Sequence, residues 1–163
     1  MNNLGVNIIR DATVTLYKFT EFFQGFEKVE QVRELFQEDT EKVLNKLDIE
    51  FFSSKSGYMG VSDDDGHIRV SYHYLKTGDE RSIYLDIIHE LVHVRQFFEG
   101  KALFDRNYDY CDRPTEVEAY KITVTEAKKI GMSYEEIIDH LKVDWMDDED
   151  LGKLVSNIHL KDF

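Results

Sequence analysis

A single amphipathic segment, residues 83–98, sets strong limits on the fold. If it is helical, at roughly 100° per residue, its apolar side chains fall within about 60° of the side opposite His89; they are Ile83, Tyr84, Ile87, Leu91, Val94 and Phe98. The remaining polar edge carries Asp86, His89, His93 and Gln96. Because the apolar stripe must pack against a core, we expect the polar edge to line a cleft.

The segments before this helix show two different periods. Apolar residues recur at helical spacing in two stretches, which predicts two N-terminal helices; the stretches are Leu16, Phe19, Phe23 and Phe26, and then Val29, Val32, Phe36, Val43 and Leu47. Apolar and polar residues alternate in GHIRVSYHYL, residues 66–75, which predicts a strand. GYMGV (Gly57–Val61) and DIEFF (Asp48–Phe52) are further predicted strands, and the pair Asp65-Gly66 favours a hairpin turn.

The second half of the chain is predicted to be helical. The central helix is expected to end near Phe98, with Gly100 after it, and the next helix to run from Pro114 to about Ile130. A capping box of Ser133 and Glu136 predicts the start of a third helix, and a short helix is expected through Leu151 and Val155. Helices, a small and mostly antiparallel sheet, and then helices again indicate an α+β fold. A length of 163 residues suits one domain, residues 1–163.

Charge and composition exclude several function classes. A formal net charge of -13 repels phosphate backbones, so we expect no nucleic-acid partner. No run approaches the roughly 18 apolar residues of a membrane span, so we expect no membrane partner either. The sequence start lacks the pattern of a secretory signal, and the single cysteine, Cys111, cannot form an intrachain disulfide. A cytoplasmic location is therefore expected.

HELVH, residues 89–93, has the pattern of a metal site. On a helix His89 and His93 project from one face one turn apart, so both imidazoles can bind one metal ion. Glu90 lies about 100° around the helix, an offset that suits a carboxylate acting on a water at the metal. The alternative interpretation is a pair of exposed histidines on an amphipathic helix.

A third ligand is expected from RPTEVEAYK, residues 113–121, because catalytic zinc sites usually combine three protein ligands with an open position. Glu116 lies in the middle of the predicted inward face of this helix. Glu118 points to the opposite side, at about 200°, and is expected to be a solvated carboxylate. The alternative for a buried Glu116 is a salt bridge to Arg113 or Arg95.

HELVH followed by EVEAY resembles the gluzincin group of zinc metallopeptidases, and in size the chain is most similar to the single-domain minigluzincins. The resemblance covers about residues 83–130. It implies a zincin-like fold in which three residues bind Zn2+, namely His89, His93 and Glu116. It also implies that Glu90 is the general base and acid of peptide-bond hydrolysis.

The surroundings of this site are less well defined. At the position of Tyr120, related families often have an aspartate that hydrogen-bonds a ligand histidine, and Asp86 is a candidate substitute. Relatives often add a tyrosine or histidine that stabilises the oxyanion; Tyr108 and Tyr110 are candidates, although we expect both to be surface aromatics. Of the other histidines, three are expected to be exposed: His67, His73 and His140.

The expected partner is a peptide or protein substrate, aligned along a strand at the edge of the sheet. One version of this function is a regulatory protease of the ImmA/IrrE kind that cuts one partner, although no DNA-binding module accompanies it here. A different class is a non-catalytic, zinc-stabilised interaction protein. A protease would also need restraint, which we expect from assembly into a homo-oligomer or from residues 157–163 folding over the cleft.

Overall fold

The computed structural model describes residues 4–12, 15–55 and 58–160. Its strands are β1 (Asn7–Ile8), β2 (Leu16–Lys18), β3 (Phe23–Gln24), β4 (Asp48–Phe52), β5 (Met59–Val61) and β6 (Ile68–Ser71). The main sheet has the order β2-β4-β6-β5; β4 and β6 are parallel, and the two outer pairs are antiparallel. Strands β1 and β3 form a separate antiparallel pair. The expectation of a small, mostly antiparallel sheet is confirmed.

Two long helices pack against each other beside this sheet. The helices of the described structure are α1 (Phe19–Phe22), α2 (Glu30–Phe36), α3 (Thr40–Lys46), α4 (Tyr72–Thr77), α5 (Glu80–Phe98), α6 (Pro114–Lys129), α7 (Tyr134–Leu141) and α8 (Asp148–Asn157). The two long helices are α5 and α6. The predicted stop at Gly100 is confirmed, because Gly100 follows the end of α5 with a φ of 76°. The predicted start at Pro114 and the capping box at Ser133 are also confirmed. The α+β class is confirmed too, because these helices accompany a small sheet.

The N-terminal part differs from the prediction. Residues 16–18 form an edge strand instead of a helix, because they pair with β4 in an antiparallel register. Helix α1 is a single turn, and the backbone is extended again at Phe23. The second predicted helix is divided into α2 and α3 by Gln37, which has a φ of 52°. Strand pairing depends on a partner distant in sequence, which helical spacing does not reveal.

The strand predicted for residues 66–75 is correct only in its first half. Strand β6 ends at Ser71, whose hydroxyl accepts a hydrogen bond from the backbone N–H of Tyr74 (3.3 Å) and so caps α4. The predicted hairpin is confirmed by the antiparallel pairing of β5 with β6, and Gly66 between them has a φ of 80°. Gly57 lies outside the described residues.

The core is centred on the apolar stripe of α5. The stripe is buried as predicted, except that Phe98 is 59% exposed. An aromatic cluster of Phe19, Phe23 and Phe26 packs against Tyr84 of α5. The Tyr84 hydroxyl donates to the buried carboxylate of Glu126 on α6 (2.6 Å), which fixes the two long helices relative to each other. Within the described part of the chain, no helix combines the length and apolar character that membrane crossing requires.

Candidate metal centre

Helices α5 and α6 bring the three predicted ligands to one point. The Nε2 atom of His93 lies 2.7 Å from Glu116 Oε1, and the Nε2 atom of His89 lies 3.2 Å from Glu116 Oε2. The two Nε2 atoms are 3.2 Å apart. One ligand atom from each residue therefore lies within 4.8 Å of the others, so this group could hold a metal ion. Glu118 lies outside the group.

The ligand group, His89, His93 and Glu116, is buried, with exposed fractions of 6%, 5% and 6%. Burial alone would raise the pKa of Glu116, but hydrogen bonds and charges from the two histidines hold that pKa well below its usual range. Burial disfavours the charged form of His93, but the adjacent Glu116 raises the pKa of His93 to about 9. The histidines are therefore not exposed, and Glu116 pairs with them instead of with an arginine.

Glu90 lies beside the ligand group but outside its hydrogen bonds. Its side chain is 7% exposed, and its Oε2 atom is buried without a hydrogen-bond partner among the described residues. Burial raises the pKa of Glu90, against the opposing charges of His89 and His93. An unpartnered buried oxygen costs about 1–3 kcal/mol, so such atoms are few in native proteins. This oxygen is free to accept a proton or a hydrogen bond.

Gln96 forms a hydrogen bond with the ring nitrogen of His93 that does not face Glu116. The Nδ1–H of His93 donates to Gln96 Oε1 (2.7 Å), and Gln96 Nε2 donates to the backbone carbonyl of Thr115 (3.0 Å) and to Glu118 Oε1 (2.7 Å). Gln96 thereby ties a ligand histidine on α5 to the helix that carries Glu116. The sequence indicated only that Gln96 lies on the polar edge, because its partners on α6 are not visible from periodicity.

Glu118 and Asp86 have roles that the sequence did not reveal. Glu118 is only partly exposed, because its Oε1 atom lies 2.7 Å from Arg95 Nη2 and accepts the bond from Gln96. Asp86 was a candidate partner for a ligand histidine. Its carboxylate instead accepts a hydrogen bond from the Tyr74 hydroxyl and lies 3.3 Å from His140 Nε2.

Two tyrosines lie beside the ligand group. The ring centroids of Tyr120 and His89 are 4.4 Å apart, and the hydroxyls of Tyr120 and Tyr110 are 2.8 Å apart. Burial raises the pKa of the Tyr110 phenol, and nearby Tyr120 and Glu116 add to this effect. The prediction of a surface aromatic is thus wrong for Tyr110, whereas Tyr108 is 45% exposed as expected.

Two cavities meet at the ligand group. The larger has a volume of about 450 Å³ and the smaller about 130 Å³. Both are lined by Met59, His89, Glu90 and Tyr110. Because Met59 belongs to β5, the edge of the main sheet borders the cleft. Of the predicted polar edge of α5, Asp86, His89 and His93 therefore line a cleft, whereas Gln96 lines neither cavity.

Helix α8 holds the short turn that carries Tyr110. The Asn157 side chain donates to the Cys111 carbonyl and to Asp112 Oδ1, both at 2.9 Å. Lys153 forms an ion pair with Asp112 at 3.3 Å. Neither cavity is lined by any of residues 148–160, the described end of the chain. The described residues 148–160 therefore support the wall of the cleft, and residues 161–163, the rest of the segment expected to cover it, lie outside the described structure.

Two histidines that were predicted to be exposed lie against acidic side chains instead. The His140 side chain is only 8% exposed, lines the larger cavity and lies between Asp86 and Ser82, at 3.3 Å from each. His67 bridges Glu50 (2.8 Å) and Asp65. Most of these partners lie on other elements, so the period of one helix or strand does not indicate them. His73 is exposed as predicted.

The ligand group offers two imidazole nitrogens and one carboxylate oxygen. Such a donor set suits divalent transition metals, and three ligands leave a coordination position open. Beside them, Glu90 contributes a carboxylate that can exchange a proton. Comparisons of the chain with family models, with curated proteins and with solved structures found no match.

Proposed function

We propose that this protein is a zinc-dependent metallopeptidase with a zincin-like fold of the gluzincin type. The observation that carries the proposal is the state of Glu90. One oxygen of this buried carboxylate has no hydrogen-bond partner in the described structure. Burial raises the pKa of the carboxylate, and the charges of both ligand-group histidines partly offset that rise. A carboxylate with a purely structural role would be expected to have its buried oxygens paired.

We propose zinc as the metal of the ligand group. Two histidines on one helix and a glutamate on the next form a donor set of catalytic zinc sites. His89, His93 and Glu116 would hold the ion, and the bond from His93 to Gln96 would fix the tautomer of that ligand. When bound, zinc lowers the pKa of a water and polarises a substrate carbonyl.

The side chains around the metal would carry the proton transfers. Glu90 would take a proton from the attacking water and pass it to the leaving amine. Its pKa, raised by burial, helps it to keep that proton between the two steps. Tyr110, which lines both cavities, is our candidate for donating a hydrogen bond to the carbonyl oxygen as negative charge develops. The edge of β5 would align an extended peptide through backbone hydrogen bonds.

Replacing the proposed base tests this function. The zinc-loaded protein is incubated with a pool of unstructured peptides, and the products are identified by mass spectrometry. We expect cleavage by the parent and a loss of roughly 10²–10⁴-fold in Glu90→Gln, because general acid–base catalysis contributes about that much. Glu99→Gln is the matched control, since Glu99 is an exposed carboxylate at the end of the same helix.

Zinc content, measured on the same samples, separates loss of the base from loss of the metal. The proposal fails if Glu90→Gln cleaves at the rate of the parent. If the parent binds zinc but cleaves no peptide in the pool, the alternative of a zinc-stabilised interaction protein takes its place.

A further inference from the structure

The smaller cavity beside the ligand group is lined by one arginine, Arg113. Arg113 directly precedes α6 and is partly buried. The cavity also has apolar walls, formed by Met59, Val61, Leu103 and Phe104. A basic group among apolar side chains, next to a proposed catalytic metal, is an arrangement that can select a substrate.

The side chain of Arg113 is anchored but not neutralised. Its Nε donates to the backbone carbonyl of Asp105 (3.3 Å), and its guanidinium carbon lies 5.8 Å from the ring centroid of Tyr110. Its two terminal nitrogens form neither an ion pair nor a hydrogen bond within residues 4–12, 15–55 and 58–160. Arg95, in contrast, forms ion pairs with Glu99 and Glu118. Among the described residues Arg113 has no carboxylate partner, although the chain has 33 acidic and 20 basic residues.

The charges around the cavity favour an anion once the metal is present. The carboxylates of Glu90 and Glu116 also line the smaller cavity, but a divalent ion would offset both charges. The guanidinium then remains as the excess charge. The larger cavity is lined by Asp79 and Asp86 together with Lys142 and has no such excess.

We propose that Arg113 binds a carboxylate of the peptide substrate and so determines specificity. The inference rests on the proposed peptidase function. The free terminal nitrogens form a planar fork that matches a carboxylate with two parallel hydrogen bonds. The carboxylate has two sources, the C-terminus of the substrate or an aspartate or glutamate side chain. The apolar walls would take a neighbouring aliphatic side chain.

The test is a binding titration that is measured by calorimetry. It uses zinc-loaded protein carrying Glu90→Gln, so that no peptide bond is broken. The probes are four forms of one N-acetylated tripeptide that ends in leucine. Two differ only in a C-terminal acid or amide. The other two have a C-terminal amide and differ only in a central aspartate or asparagine. The first pair reports on the C-terminus and the second pair on an acidic side chain.

In one of the two pairs, we expect the acidic form to bind about tenfold or more tightly than its neutral counterpart, because a charge-assisted bidentate pair contributes that much. Adding Arg113→Met should reduce this preference to about twofold or less, and Arg113→Lys should keep part of it. Arg106→Met is the matched control, because Arg106 is an exposed arginine in the same loop and lies outside the cavity. It should retain the full preference.

The pattern of results separates the two proposals. A preference that persists in Arg113→Met would place the carboxylate on the metal instead and overturn the role of Arg113. So would the lack of any preference in both pairs for zinc-loaded protein. Melting temperatures and zinc contents of every variant are measured first. If the parent binds no zinc, the peptidase function and the role of Arg113 both fail.

Discussion

Glu90 and Glu116 are buried carboxylates beside the same two histidines, and their surroundings give them different chemistry. Glu116 has hydrogen-bond contacts with both histidines, which hold its pKa well below the usual range. One oxygen of Glu90 has no hydrogen-bond partner among the described residues, and burial raises the pKa of Glu90. The first carboxylate is suited to remain a charged ligand, and the second to exchange a proton.

Gln96 gives a prediction at the residue scale. Replacing it with methionine removes the acceptor for His93 Nδ1–H and the two bonds to α6, while keeping an unbranched side chain of similar size. We expect a loss of zinc affinity of about 10–100-fold, the usual effect of removing a partner of a ligand histidine. Competition with a chromogenic chelator measures the affinity.

The control for this prediction is Gln96→Glu, which keeps an oxygen to accept from His93. It should retain more affinity than Gln96→Met. Equal losses in the two variants would mean that the bonds that Gln96 donates to α6, which both variants lack, and not the acceptor for His93, support the site.

Side chains that act through their own helix could be predicted from the sequence. His89, Glu90 and His93 follow from the spacing of HELVH, and the inward direction of Glu116 follows from the period of its helix. Gln96, Tyr110 and His140 could not be placed in this way. Their positions depend on partners in other elements, which a single helical period does not encode.

At the scale of elements, helices with strong local signals were predicted well, and elements that depend on pairing were not. Helices α5 to α8 have capping residues or stop signals within a few positions of their ends. Strand β2 exists because it pairs with β4, and helix α4 begins because Ser71 caps it within an alternating stretch. The periodicity of those segments favoured the wrong element, because tertiary pairing outweighed local preference.

The contact between α7 and α5 gives a pH-dependent prediction. Burial disfavours the charged form of His140, but the hydrogen bond and charge of Asp86, with a smaller contribution from Asp79, raise its pKa above the usual value. A folded-state pKa above that of the unfolded chain stabilises the fold below about pH 6.5, and this contribution is lost as pH rises through the folded-state value. His140→Gln should therefore lower the melting temperature most at acidic pH.

This effect is measured by thermal unfolding of metal-free parent and variant between about pH 5.5 and 9, a window around the ordinary histidine pKa. His73→Gln serves as the control, because His73 is exposed on α4. It should leave the melting temperature nearly unchanged. A difference between parent and His140→Gln that stays constant across the series would show that His140 contributes through packing and not through its charge.

At the scale of the whole molecule, the ligand group connects the two long helices even without a metal. Its nitrogens and oxygens satisfy one another through the contacts of Glu116 with both histidines. The buried aromatic core and the bond between Tyr84 and Glu126 join the same helices away from this group. We therefore expect the metal-free chain to remain folded, unlike small domains that fold only around zinc.

Metal removal tests this expectation. Zinc at about 100 times its dissociation constant stabilises the folded state by about 2.7 kcal/mol, which for a chain of this size raises the melting temperature by about 5–10 °C. After chelation, circular dichroism should show unchanged helix content with the lower melting temperature. Loss of helix on chelation would show that folding depends on the metal, contrary to this account.

The most direct test of the proposed metal centre is metal content by mass spectrometry on the parent, Glu116→Gln and Glu118→Gln, each supplied with zinc. Glu118→Gln is the matched control, because Glu118 lies on the same helix outside the ligand group, and glutamine keeps an oxygen for Gln96. We predict about one zinc per chain in the parent and in Glu118→Gln, and its loss in Glu116→Gln. Equal zinc in all three proteins, or none in any of them, would contradict a site formed by His89, His93 and Glu116.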